Sequence, residues 1–413
     1  RGSGSASPPV SPPCTGEGVA DRSPPRLGAC HKPPYPSALA QPFDVCIRGA
    51  GIVGRTLALL LARERLRVAL VAAPPHPSAT SDVRAYALNA ASRALLESVR
   101  SWPDDTLATP VQAMQVLGDQ GGEVHFNAPA EAGALAWIVD VPALAAQLAE
   151  AVRYQPLVEV VDTPQPAALT VVCEGKSSRT RTEFGVEFDV TPYPQHAIAA
   201  RLLCDKPHGQ VARQWFSGDH ILAFLPLGGA DGNSVALVWS VNQSQAPDLL
   251  ALPPEEFCQQ LENASHHVLG ALTLTSDRAA WPLQLARARR WSGVMPDSTP
   301  AKPRNWVLAG DAAHTVHPLS GQRLNLRLAD VQELATVLRT RDYWRSVGDP
   351  RLLRSYERAR KSGVLPMGWA TDGLQQLFAQ EAGPWATLRN WGMQTFDNSG
   401  PLKAWVARQA TGR

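Results

Sequence analysis

The sequence predicts an α/β chain, α+β overall: a Rossmann-like three-layer domain, an inserted antiparallel-sheet domain and C-terminal helices. Three observations carry that reading. From Phe43, "FDVCIRGAGIVGRTLALLLARERLRVALVAA" runs strand, glycine turn, helix, strand. "HAIAARLLCD", "ARQWF", "HILAFLPLGG" and "NSVALVWSV" are strand-like runs separated by turn residues, as in an antiparallel sheet. "NWVLAGDAAHTVHPLSGQ" supplies a further buried strand closed by a Gly–Asp turn.

Taken in order, Phe43 to Arg48 is a short strand and Gly49, Gly51 and Gly54 make G-x-G-x-x-G. Ile52 and Val53 open a helix reaching Arg65, and Arg67 to Ala72 is a second buried strand. This order raises the glycine motif above chance. The first glycine permits a tight turn, the second lets a pyrophosphate approach the backbone, and the third lets the helix pack on the sheet. The acid expected near the end of the second strand is missing: the chain reads "LVAAPPHPS", and the next acid is Asp82. A glycine-rich turn without a ligand is the plain alternative.

"SDVRAYALNAASRALLESV" then places Arg84 ahead of an Ala- and Leu-rich helix. Arg84 is in position to reach a phosphate, although an isolated Arg is more simply a solvated surface charge. In "LTVVCEGKSSRTRTEFGVEF", a strand from Leu169 to Cys173 enters a turn at Glu174–Gly175, with Ser178 and Arg181 following. The antiparallel runs are rich in Ala, Leu, Phe and Trp, which suits an apolar ligand cavity and ordinary core packing equally. Trp306 to Ala309 is the last buried strand, and Gly310–Asp311 puts a carboxylate at its end, placed to hold sugar or ribitol hydroxyls. His314 and His317 lack a third ligand nearby, so they read as hydrogen-bonded turn residues, and no metal is expected.

Bulk properties limit the function classes. A chain of 413 residues calls for more than one domain. A net charge of +2, without a basic block, argues against nucleic-acid binding. Six scattered cysteines form neither a disulfide framework nor a zinc pattern and suit a reducing, cytoplasmic compartment. No apolar run approaches membrane-spanning length. The Pro-, Gly- and Ser-dense residues 1–42 lack a secretory signal and read as a disordered leader.

The motif order is G-x-G-x-x-G, D-x-R-x-x-A-L-N, [DE]-G-x-x-S-x-x-R and G-D-A-A-H-x-x-x-P-x-x-G-Q. It resembles the FAD-dependent aromatic hydroxylases of the p-hydroxybenzoate hydroxylase fold, and within them the ubiquinone-biosynthesis hydroxylases. "TDGLQQLFAQ", "LRNWGM" and "PLKAWVARQATG" resemble that branch's C-terminal helices. The resemblance implies FAD as cofactor, NADH or NADPH as transient reductant and O₂ as co-substrate. An electrophilic OH would pass from a flavin C4a-hydroperoxide to an electron-rich phenol ring. Gly49, Gly51 and Gly54, with Ile52 and Val53, would hold the pyrophosphate, and Arg84 would sit beside the flavin. Glu174–Gly175 would serve FAD and the nicotinamide, and Gly310–Asp311 the ribityl chain. Pro318 would line the flavin's reactive face, with His314 as a second catalytic candidate. Gly321, Gln322, Arg323, Leu324 and Asn325 would present helix-terminal N–H groups to the pyrimidine edge.

The organisation implied is a leader (1–42) and an FAD-binding domain in three parts (43–115, 136–182, 296–345). Substrate-domain strands (116–135), a substrate-binding antiparallel sheet (183–295) and a C-terminal helical region (346–413) complete it. A polyprenyl phenol would be the substrate, with peripheral contact at the inner membrane and with a biosynthetic complex. Three departures qualify the resemblance. Arg323 and Arg327 stand where G-Q-G-x-N-x-G has glycine, Glu174 replaces an Asp, and the second strand's acid is absent. Three outcomes are open for Arg323: it points away and leaves FAD in place, it sits beside the flavin's N1 and O2, or it blocks the site and leaves an apoprotein. Two like charges four apart share a helix face and suggest solvent or an anionic partner. The alternatives are a flavin-poor, non-catalytic relative in an assembly, and a hydroxylase of a soluble aromatic acid.

Overall fold

The computed structural model describes residues 42–72, 82–118, 122–129, 133–218, 220–228, 232–315 and 323–363. β1 (Phe43–Arg48), α1 (Ile52–Arg63) and β2 (Val68–Val71) form a β–α–β unit. β3 (Ala85–Leu88), α2 (Ala90–Ser98), β4 (Ala108–Val111), β5 (Ala113–Gly118) and β6 (Glu123–Asn127) come next. β7 (Ala136–Asp140) turns directly into α3 (Val141–Arg153), because Asp140 caps the helix through the Ala143 N–H and Pro142 sits in its first turn. β8 (Val158–Val161), β9 (Ala167–Val172), α4 (Arg179–Glu183) and the long β10 (Phe188–Cys204) follow. Then come β11 (Val211–Phe216), β12 (Ile221–Leu227), β13 (Ser234–Asn242), α5 (Ala246–Ala251) and α6 (Pro254–Ala264). The chain continues through β14 (Leu272–Leu274), β15 (Ala279–Ala288), β16 (Ser292–Val294) and β17 (Asn305–Leu308). A 3-10 turn (Gly310–Ala312), β18 (His314–Thr315), α7 (Arg323–Arg339) and a helix over residues 350–363 complete the described part.

The first sheet has six strands in the order β16-β17-β9-β1-β2-β8, parallel except for β16 on the edge. Its strands are short apolar runs such as VALV, AALTVV and NWVL, as expected where both faces are covered. α1 packs against both α3 and α7, and Ile47, Leu57, Leu61, Val171, Val307 and Leu334 are fully buried in the shared core.

The second sheet runs β18-β15-β10-β13-β12-β11-β5-β6, with β14 added to β10. The expectation of a purely antiparallel sheet needs one correction: β11 and β5 pair in parallel, Val211 opposite Ala113. These strands come from distant parts of the chain, so no hairpin dictates their direction. Ile198, Phe224, Leu237, Trp239 and Phe257 form a separate core beneath this sheet. A small third sheet, β3-β7-β4, is antiparallel. The Ala- and Leu-rich helix expected after Arg84 is α2, with the short β3 between them. No helix among the described residues is long and apolar enough to cross a membrane.

Candidate functional site

The glycine turn between β1 and α1 has the geometry its sequence implies. Gly49 adopts φ +113°, and a Cβ there would stand 2.6 Å from the Cys173 carbonyl oxygen. A Cβ on Gly54 would stand 1.9 Å from the Gly49 carbonyl oxygen, so only glycine lets α1 start this close to β1. At Gly51 a Cβ would meet nothing within 4 Å. That face of the turn is open. Gly51 is also the N-cap of α1, with no side-chain cap and no acid in the first turn, so the amino end of a 12-residue helix is left for a ligand to satisfy. These features fit the diphosphate of a dinucleotide, with the first N–H groups of α1 to hold it.

The β9 exit is a closed hydrogen-bonded turn. Glu174 accepts from Ser178 Oγ (2.8 Å) and the Thr180 N–H (3.1 Å), and pairs with Arg48 at 3.2 Å. Burial alone would raise the Glu174 carboxyl, but bonds from Thr180 and Ser178 and the Arg48 charge carry it below the usual carboxylate range. Gly175 supplies the positive φ of +81° the turn requires. Ser178 caps α4 through the Arg181 N–H. Arg181 is buried, lies 3.5 Å from the Phe188 ring centroid, and donates to the carbonyls of Ala312 and Lys176. The third motif thus anchors the Gly–Asp turn of the fourth.

Gly310 takes φ +65°, and its N–H donates to Asp330 Oδ2 at 3.0 Å. The same oxygen meets His314 Nε2 at 2.7 Å, and Oδ1 accepts from Arg360 Nε at 2.7 Å. Asp330 is fully buried; burial opposes its charge, but His314 and Arg360 outweigh that and hold its pKa low. His314 is buried too and stacks on Trp291 at 5.1 Å. The His314 ring thus braces the turn from within the core. Pro318, Gly321, Gln322 and His317 lie outside the described residues. Among those described, no three His, Cys, Asp or Glu side chains gather as metal ligands.

At the start of α7 the replaced glycines have distinct surroundings. Arg327 Nε lies 2.6 Å from Asp311 Oδ1. This is a partner that the helix-face reading, which pointed to solvent or an anionic ligand, did not foresee. Arg323 is half-buried; burial and then the Arg327 charge push its pKa down, against the pull of Asp311 and Tyr86. Leu324 is buried in the core. Asn325 accepts from the Asn89 N–H (3.0 Å) and Ser92 Oγ (2.7 Å) and donates to the Ala87 carbonyl (2.9 Å). Its side chain ties α7 to the β3–α2 junction.

Arg84 is held in a two-point pair by Asp82, Nε to Oδ1 at 2.7 Å and Nη2 to Oδ2 at 2.6 Å. The acid that sequence reading met only as a late arrival is the partner that orients this guanidinium. Arg84, Tyr86 and Arg323 border a cavity of about 140 Å³ whose other walls come from the second and third sheets, among them Ile138, Ala199, Ala223 and Trp281. An apolar cavity of about 150 Å³ takes up benzene, so the volume admits one aromatic ring. Asn89, Ser92, Asp330, Trp291 and Arg360 were missed from sequence. Asn89 had a readable signal as the N-cap of α2; the others are brought in by packing alone.

Comparison with known proteins agrees with this architecture. A family model described as "FAD binding domain" matches residues 165–365. The ubiquinone hydroxylase UbiL of Rhodospirillum rubrum is 30% identical over 399 residues, covering 89% of each chain. The 3-demethoxyubiquinol 3-hydroxylase of Escherichia coli is 27% identical over 402 residues, covering 90% of this chain and 99% of its own. Among solved structures, p-nitrophenol 4-monooxygenase PnpA from Pseudomonas putida superposes with a TM-score of 0.68 at 16% identity, over 90% of this chain and 99% of that one.

Proposed function

Because the chain belongs to the FAD-binding monooxygenase family, we propose that it hydroxylates an aromatic ring of a polyprenyl phenol on the route to ubiquinone. One observation carries the reading: a cavity sized for a single ring borders Arg323, which stands one helical turn before Arg327, the partner of Asp311 beside the glycine turn. Ligand-binding turn and ring cavity thus adjoin.

When bound, FAD would supply the redox chemistry that activates O₂, with NADH or NADPH as the source of electrons. The chain's own residues have narrower tasks. The Gly51 face and the first N–H groups of α1 receive the diphosphate. The Glu174 N–H lies against Gly49 and Gly310 lies against Val53, so both turns flank the start of α1. Ala199, Ala223 and Ile138 keep water from the ring, since a wet site would release peroxide in place of product. Arg84, oriented by Asp82, stands at the cavity wall with Tyr86. A volume of about 140 Å³ holds the ring and no long tail, so a polyprenyl chain must leave through the mouth toward a membrane surface or carrier.

The test is turnover by the purified full chain with FAD and NADH or NADPH, comparing a prenylated phenol with a soluble benzoate. Hydroxylated prenyl product supports the reading. Product from the benzoate alone would replace it with hydroxylation of a soluble aromatic acid. Absence of flavin binding and product in every combination would leave a non-catalytic relative.

A further inference from the structure

Arg327 occupies the α7 face that meets the Gly310–Ala312 turn. Its Nε lies 2.6 Å from Asp311 Oδ1, with the two side chains only 13% and 19% exposed. A Cβ built on Gly310 would stand 3.3 Å from both Val53 methyl groups and 3.8 Å from Arg327 Cγ. Val53 lies in the first turn of α1. The ion pair therefore stands next to the amino end of α1, which has no side-chain cap and where a phosphate-bearing ligand would be received. Asp311 also attracts Lys176 and Arg323, and Arg323 in turn repels both Lys176 and Arg327. One carboxylate thus steadies a local excess of cations.

We propose that Arg327 and Asp311 form a latch on the flavin site, which makes Arg327 a residue that weakens FAD affinity. The inference rests on the flavin reading above. A carboxylate that accepts a charge-assisted bond from a guanidinium holds it about twice as strongly as a neutral hydroxyl bond. A ligand whose hydroxyls approach Asp311 must replace the stronger bond with weaker ones and move a mostly buried guanidinium aside. Binding energy consumed in opening the pair is lost from the observed affinity. The wild-type chain then binds FAD reversibly, with a fraction isolated as apoprotein.

The experiment uses the full-length chain stripped of flavin. FAD is titrated into wild type, Arg327→Ala and Arg327→Lys, read by flavin fluorescence and by the FAD-induced rise in Tm. Alanine removes the latch and favours helix; lysine keeps the charge without the guanidinium fork. The expected result is a Kd at least tenfold tighter for Arg327→Ala, with Arg327→Lys between it and wild type. A gain in affinity is not a result that misfolding produces. Equal or weaker FAD binding by Arg327→Ala, with wild-type Tm in the absence of FAD, overturns the latch and leaves the monooxygenase reading intact. If Arg327→Ala does not fold, a Kd for Arg327→Lys no tighter than wild type overturns it as well. Failure of all three proteins to bind FAD on either readout overturns the latch and the flavin reading together.

Discussion

Asp330→Asn removes the anion on which the Gly310 turn depends. In the native chain that carboxylate serves the Gly310 N–H, His314 Nε2 and Arg360 Nε with no exposure to solvent. Asparagine keeps the shape but has one acceptor oxygen, and it leaves Arg360 as an uncompensated charge that is only 14% exposed. Breaking a buried pair by removing one partner costs about 3–5 kcal/mol. With roughly 2.1 cal/mol/K of unfolding entropy per residue over about 300 described residues, that is a fall in Tm of about 5–8 °C. The pH dependence adds a sign. The folded-state pKa of Asp330 is depressed, so its contribution is fully present above the unfolded carboxylate value and is lost as pH falls through the folded one. Cys173 and Tyr356, which feel the same charge, are raised by burial first and by Asp330 second, and stay neutral across this range. The gap in Tm between wild type and variant should hold steady from about pH 8 to 5 and narrow below about pH 4. Thermal unfolding by circular dichroism across that range is the assay. A variant within about 1 °C of wild type at pH 7, or a gap that widens on acidification, would refute the reasoning.

Three further predictions rest on the turn and the cavity. Gly54→Ala should destabilise by about 3 kcal/mol or more, because the backbone has to move, whereas helix propensity alone would make it stabilising by about 1 kcal/mol. Gly51→Ala, with open space before it, should cost about 1 kcal/mol or less yet weaken FAD binding; denaturant midpoints and a flavin titration distinguish the two. Ala223→Phe places a ring inside a cavity of about 140 Å³, so aromatic turnover should fall at least tenfold while FAD binding is retained. Unchanged turnover would mean that substrate binds elsewhere.

The β–α–β start, the strand at Leu169 and the last buried strand near Trp306 were legible because each is a short apolar run bounded by glycine, a local signal. Gly49 and Gly54 were legible for the same reason: a tight turn and a close helix start leave no substitute for glycine. The Ser178 cap and the Asn89 cap are likewise local, set by side chains three residues from the N–H groups they satisfy. What tertiary structure alone decided lies between distant segments. Sequence placed Arg327 on a helix face; only the fold of α7 against the Gly310 turn paired it with Asp311. Asp330, His314 and Arg360 look unrelated along the chain and become one buried network, in which His314 braces a turn. The parallel pairing of β11 with β5 had no local cue either, since a crossover leaves strand direction free. Residue type and short-range spacing determine turns, caps and strand runs. The charges that meet across elements depend on how the chain packs, and so did the fate of the two arginines.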